Sequence, residues 1–278
     1  MAIHMKQLMK QRMKQLGFSS LLAIGVLFLG LAQAGEHLSI SATTEFSEIH
    51  PGDSGILAIT LEIDEGWHTY WPGVSDSGMG FKLEIDTSES ITLEDPIWPT
   101  PKRYLQPGEI LDFIYEETAT VLVPFRIAGD ASVGELLVFD IDADYLVCEE
   151  VCLPENASAL ASIAVIDAQS TKSPTASHDT IRELYDARPE TFDPKADHVR
   201  VQWIAYRAAI MFRDATKIEF FPSRDCTELA DPITSTVTET NRLILKFATS
   251  ENKVIAGRIR SYERIGPVDY DIHITPAN

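Results

Sequence analysis

The sequence predicts an all-β protein: two antiparallel sandwiches with one short helix between them. Three observations carry this. Short runs of β-branched and aromatic residues recur in both halves, bounded by clusters of Gly, Pro, Asp and Ser. No stretch alternates strand and helix in the way a parallel α/β sheet requires. Residues 168–179 are small and polar without apolar periodicity, and read as a linker between a unit at 35–167 and a smaller one at 180–278.

In chain order, residues 1–34 come first and read as a secretory leader. Lys6, Lys10, Arg12 and Lys14 form a basic start, Phe18 to Leu31 an apolar run, and Ala32-Gln33-Ala34 a small-x-small cleavage site. The apolar run, about 14 residues, is short of the ~20 that span a bilayer, so cleavage after Ala34 is expected rather than anchoring. A basic leader with this site suits export to a bacterial periplasm.

Strand-like runs at 55–63, 120–127 and 135–141 follow, separated by turn clusters at 51–54, 73–80 and 128–131. The second unit opens on a helix capped by Asp179 or Thr180. Ile181, Leu184 and Tyr185 share one face of it, and Pro189 ends it. Strands are predicted at 198–203, 217–221, 242–247 and 254–259. Residues 268–274 alternate cleanly, as a closing strand with one wet face does.

The formal charge is −19, and loss of the four basic leader residues takes it to −23. Such a net charge repels nucleic acid and anionic lipid, and suits a soluble protein making brief protein encounters.

The chemistry sits in Tyr145-Leu-Val-Cys-Glu-Glu-Val-Cys-Leu-Pro154, which holds two of the chain's three cysteines, Cys148 and Cys152. In a straight strand residues four apart lie about 13 Å from each other, whereas a disulfide needs Cα atoms within roughly 4.4–6.8 Å. The pair therefore occupies one helical turn or flanks a tight reversal, and the apolar residues on either side favour a reversal around Glu149-Glu150-Val151. So small a loop adds little stability when closed, which points to redox activity over an inert disulfide or a metal site. Glu149 and Glu150 oppose thiolate formation, so the pair is expected to act as a reductant or relay rather than as a disulfide donor. Cys226 is read as a lone, idle thiol.

The run from Asp142 through Cys148 and Cys152 to Pro154 is similar to the active-site segment of the amino-terminal periplasmic domain of DsbD-type thiol:disulfide interchange proteins, closest to the ScsB (suppressor of copper sensitivity) branch. Gly66-Trp-His-Thr-Tyr-Trp-Pro72, Asp76-Ser-Gly78, Ile97-Trp-Pro-x-Pro101 and Tyr115 leading to Val121 through Pro124 match in the same order. The resemblance implies an immunoglobulin-like fold whose cysteines exchange electrons with thioredoxin-like periplasmic oxidoreductases. It further implies a separate membrane electron donor and a cap loop shielding the cysteines, placed by position at 111–116 with Phe113 and Tyr115 as lids. The branch carries two sandwiches before its membrane part, and this sequence ends at Asn278, where that part would follow. It therefore reads either as a stand-alone module reduced by a separate partner or as a relic without an electron supply, with no membrane insertion after leader cleavage. Three residues rather than five separate the cysteines, a departure from the better-known DsbD pattern.

Asp142, Asp144, Tyr145, Glu149 and Glu150 are candidates for proton movement or tuning. Trp67, His68, Tyr70 and Trp71 read as core or turn packing. No cofactor or metal is expected. The competing reading is a non-catalytic module binding copper or protein, in which His68, Met79 and the cysteines would supply soft ligands.

Overall fold

The computed structural model describes residues 35–276, so the expected leader lies outside the described residues. Among the described residues there are two short helices and nineteen strands, and the strands form four sheets stacked as two sandwiches. In the first sandwich one sheet runs β1(Leu38–Thr44)–β3(Ser54–Ile63)–β9(Thr118–Ile127)–β6(Ile91–Leu93). The facing sheet runs β2(Glu48–Ile49)–β11(Cys152–Val165)–β10(Leu136–Cys148)–β4(His68–Tyr70)–β8(Ile110–Glu116)–β7(Lys102–Gln106), and β5(Lys82–Thr87) also pairs with β10. Leu57, Ile59 and Leu61 from one sheet meet Phe139, Ile141 and Val147 from the other in a closed core. Phe125 stands edge-on to Phe139, with centroids 4.9 Å apart, an arrangement worth about 1 kcal/mol beyond the area it buries.

The site-bearing strand β10 runs on well past the predicted 135–141. Its residues alternate, with Ile141, Ala143, Tyr145 and Val147 turned into the core and Asp140, Asp142 and Asp144 turned outward. Charged residues at every second position hide the strand from a reading based on apolar runs, yet they are what a half-buried strand requires.

The segment at 168–179 is no free tether. The backbone of Ser47 donates to Ser173 O at 2.9 Å, and that of Thr175 to Glu45 O at 3.0 Å, which ties it to the first sandwich. Helix α1(His178–Asp186) then lays Ile181 on Ile56, Ala58 and Leu122, the outer face of the four-stranded sheet. Its N-cap is Ser177 rather than Asp179 or Thr180, and Leu184 is exposed rather than on the packed face. A nine-residue helix contributes one buried side chain, so its apolar pattern is a weak guide.

The second sandwich pairs the sheet β12(Glu190–Thr191)–β19(Gly266–Ile274)–β18(Ile255–Glu263)–β15(Lys217–Pro222)–β16(Val237–Thr238) with the sheet β13(Val199–Ile204)–β14(Arg207–Phe212)–β17(Arg242–Lys246). Helix α2(Pro232–Ser235) precedes β16, with Asp231 accepting from Thr234 N as its cap. Ile210, Phe212, Ile218, Phe220 and Ile259 fill the space between the two sheets. The other face of the five-stranded sheet meets the first sandwich. Phe221 stacks edge-on to Phe113, Thr100 donates to Asp269 at 2.6 Å, and Arg258 donates to Trp98 O.

Candidate functional site

β10 and β11 form a hairpin in register from Leu136 opposite Ala164 to Cys148 opposite Cys152, leaving Glu149-Glu150-Val151 as its turn. The cysteines are thus the last cross-strand pair. Their Cα atoms are 4.2 Å apart and their sulfurs are bonded. Of the two arrangements that distance allowed, the reversal favoured by the flanking apolar residues is the one observed. Closing a loop this small adds only about 2 kcal/mol on chain-entropy grounds, against about 4.7 for a hundred-residue loop. The hairpin ladder holds the register without it.

The two sulfurs differ in access. Cys148 is 2% exposed, whereas Cys152 is exposed at the turn end of the hairpin. Cys148 points away from the sandwich core, on the face of the sheet that also carries Tyr70 and Ile114, and these three form a separate apolar cluster with Tyr104 and Leu146 beside it. The Tyr70 hydroxyl lies 3.1 Å from Cys148 Sγ and 3.4 Å from Cys152 Sγ, in contact with both reacting atoms. Burial, more than any neighbouring group, raises the Tyr70 pKa, so the phenol stays protonated and able to donate to sulfur.

Beside Tyr70 a polar network gathers on the buried carboxylate of Asp112. Ser77 donates to Asp112 from its backbone N at 3.0 Å and from its hydroxyl at 2.6 Å, and Gln106 Nε2 donates to the same carboxylate at 2.8 Å. Asp76 accepts from Leu111 N at 2.7 Å, which pins the 71–80 segment to β8. Gly78 lies flat against Tyr70: a Cβ there would come within 2.1 Å of the ring. These contacts account for Asp76-Ser-Gly78 as a sequence feature.

His68 stands directly opposite Cys148 in register, and Glu116 stands opposite His68. The imidazole is 7% exposed, sits against the rings of Tyr70 and Tyr104, and has an Nε2 without a hydrogen-bond partner. Burial lowers its pKa, opposed by Glu116 and Asp112, so the ring is held neutral.

The remaining candidates spread out. Phe113 and Tyr115 lie on the core side of β8, where Tyr115 donates to Pro99 O at 2.7 Å; Ile114 between them is the residue that meets Cys148. The period-2 alternation of a strand sends neighbours to opposite faces, so Ile114 faces Cys148 while Phe113 and Tyr115 face the core. Tyr145 points into the core, stacks on Phe81 and donates to Leu38 O at 3.0 Å. Asp142 and Asp144 are exposed further down β10, where they pair in register with Glu84 and Lys82 of β5. None of these three is gathered at the sulfurs. Glu149 and Glu150 are exposed in the turn between the cysteines. Met79 is exposed and does not belong to the apolar cluster around Cys148. Cys226 is partly buried in the second sandwich, and burial raises its pKa. Tyr70, Ile114 and Tyr104 were missed as site residues by sequence reasoning. For Tyr70 the signal was present: His68 and Tyr70 are two apart and so share a strand face.

Residues 38–162 match the family described as thiol:disulfide interchange protein DsbD, N-terminal. The chain is similar to the crystal structure of the N-terminal periplasmic domain of ScsB from Proteus mirabilis, with a TM-score of 0.54 at 13% identity, covering 88% of this chain and 99% of that one. At that identity the likeness is one of fold, and it extends over both sandwiches. The reduced DsbD n-terminal domain of Neisseria meningitidis aligns at 17% identity over 48% of this chain and 89% of its own, with a TM-score of 0.27. No curated protein matches the chain.

Proposed function

We propose, from the membership of residues 38–162 in the family of DsbD amino-terminal domains, that Cys148 and Cys152 relay reducing equivalents between thioredoxin-like oxidoreductases. The observation that carries the reading is the asymmetry of the pair: one sulfur open to a partner, one buried behind it, both touched by a protonated phenol. An inert disulfide has no need of such a difference in access.

In the reduced protein the Cys152 thiolate attacks one sulfur of a partner disulfide. A Cys152–partner bond forms and the partner's other sulfur leaves as a thiolate. Cys148, as thiolate, then attacks Cys152 Sγ, which restores the Cys148–Cys152 bond and releases the partner as a dithiol, two electrons richer. Recharging is the reverse: a donor thiolate attacks Cys152 Sγ and Cys148 leaves. The Tyr70 hydroxyl donates to whichever sulfur carries charge, and Ile114 and Tyr104 keep Cys148 from reagents that approach without a docked partner. Among the described residues no helix is long and apolar enough to cross a membrane. The basic leader supports export to the periplasm.

Trapping tests the assignment. With Cys226→Ser as background, Cys148→Ser retains the attacking sulfur and is expected to accumulate mixed disulfides with a thioredoxin-like protein, whereas Cys152→Ser is expected to trap little. Equal trapping by both variants, or by neither, contradicts the proposal.

A further inference from the structure

The whole-chain charge conceals how charge is distributed. Residues 35–167 hold 26 Asp and Glu against 4 Lys and Arg, whereas residues 190–276 hold 13 against 12. Four of those twelve basic residues share one face of the second sandwich. Register places Arg200, Met211 and Arg242 in one row across the three-stranded sheet, Gln202, Ala209 and Ile244 in the next, and Ile204, Arg207 and Lys246 in the third. The intervening residues Ile210, Phe212, Leu243 and Leu245 belong to the core, so these nine point outward together. No carboxylate is among them.

Lys246 is engaged by Asp231 at 3.1 Å. The arginines that form ion pairs among the described residues are Arg182, Arg258 and Arg260, so Arg200, Arg207 and Arg242 have none. Exposed apolar side chains lie among them: Ile204 at 59%, Ile244 at 39%, and Tyr206 at 56% in the turn joining β13 to β14. Three unpaired guanidinium groups interleaved with Ile and Tyr match a surface that offers anionic headgroups above an apolar layer.

Position strengthens the case. The five-stranded sheet faces the acidic first sandwich through Phe221, Arg258 and Asp269. The arginine-bearing face is on the opposite side of the second sandwich, at least one sheet-to-sheet spacing of ~10 Å further on. That exceeds the ~8 Å Debye length at physiological ionic strength, so the acidic half does not cancel the local attraction.

We propose that the outer face of β13–β14–β17 docks the protein on an anionic lipid surface, with the first sandwich and its disulfide turned away from the bilayer. The chain would lie on the membrane without entering it. This reverses, for one face, the repulsion from anionic lipid inferred from net charge.

Cosedimentation of the chain from residue 35 onward, with vesicles of phosphatidylglycerol and phosphatidylethanolamine, tests it; phosphatidylcholine vesicles are the control. Binding to the anionic vesicles alone is expected, weakening as salt rises. Arg200→Gln/Arg207→Gln/Arg242→Gln is expected to lose roughly 100-fold in affinity, from about a fivefold loss per arginine, and Ile204→Ser/Tyr206→Ser to weaken binding while leaving its salt dependence. Unchanged thermal midpoints show that both variants are folded. Equal binding to both vesicle types, or undiminished binding by the arginine variant, overturns the proposal. So does self-association, or capture of an acidic protein, that the arginine variant abolishes in the absence of any vesicle binding.

Discussion

Tyr70 sets the chemistry at the scale of single residues, since its hydroxyl reaches both sulfurs. Tyr70→Phe removes a donor to a developing thiolate, an interaction worth about 1.5 kcal/mol or more, so exchange at neutral pH is expected to slow about tenfold in a stopped-flow assay with a reduced partner. Glu149→Gln/Glu150→Gln acts in the other direction. Removing two exposed negative charges beside Cys152, each worth at most about 1 kcal/mol in water, is expected to lower the thiol pKa by roughly half a unit, readable from the pH dependence of alkylation. His68 links the site to stability. Its folded pKa lies below the ordinary 6.5, so the unfolded chain binds the proton more readily. The contribution of neutral His68 is therefore complete above about pH 6.5 and is lost as pH falls below it. His68→Phe is expected to flatten the decline in thermal midpoint across that acid range, and a variant that declines as steeply as the parent would show that His68 is not the group responsible. The cysteine pair was legible because its spacing excluded a straight strand and the apolar residues on either side favoured a reversal over a helical turn. The surrounding residues were less so, because which of Phe113, Ile114 and Tyr115 faces the sulfur depends on strand parity, and a one-residue difference exchanges core for site.

At the scale of elements, the site is a hairpin end held by a loop. The 71–80 segment crosses the molecule from Tyr70 to the second sandwich, where the backbone of Val74 and the indole of Trp71 both donate to Pro222 O, at 3.1 and 3.4 Å. Gly78→Ala drives a methyl into the Tyr70 ring. A cost of about 1–3 kcal/mol is expected, with a loss of exchange rate alongside the fall in denaturation midpoint; a neutral Gly78→Ala would contradict the packing described. Sequence reasoning placed runs on β3, β9, β10, β13, β15, β17, β18 and β19, but not on β1, β8, β11 or β14. It also missed the length of β10, whose outward face is acidic, and the partners of each sheet. Pairing is a long-range property: β10 joins β11 next to it in sequence and also β4 and β5, which lie many residues upstream. The helix was found while its cap and packed face were not, since one buried isoleucine is all that orients it.

At the scale of the whole molecule, the two sandwiches are joined by a buried cation. Arg258 is 3% exposed, is paired with Asp271 at 2.8 Å, and lies over the Trp71 ring. Arg258→Ala leaves Asp271 half exposed rather than stranded, so about 2 kcal/mol is expected rather than the 3–5 of a fully buried pair, with calorimetry resolving two transitions where the parent shows one. The asymmetry of charge between the halves could be counted in the sequence, but a face that gathers Arg200, Arg207, Arg242 and Lys246 without a carboxylate required the register of three strands. The central claim, that Cys148–Cys152 is a working redox couple, is tested most directly by its equilibrium potential in Cys226→Ser protein, by glutathione or dithiothreitol titration with thiol trapping. A value between about −270 and −120 mV, the range from thioredoxin to the periplasmic oxidants, is predicted. A value below about −300 mV would mark a structural bond and contradict the account.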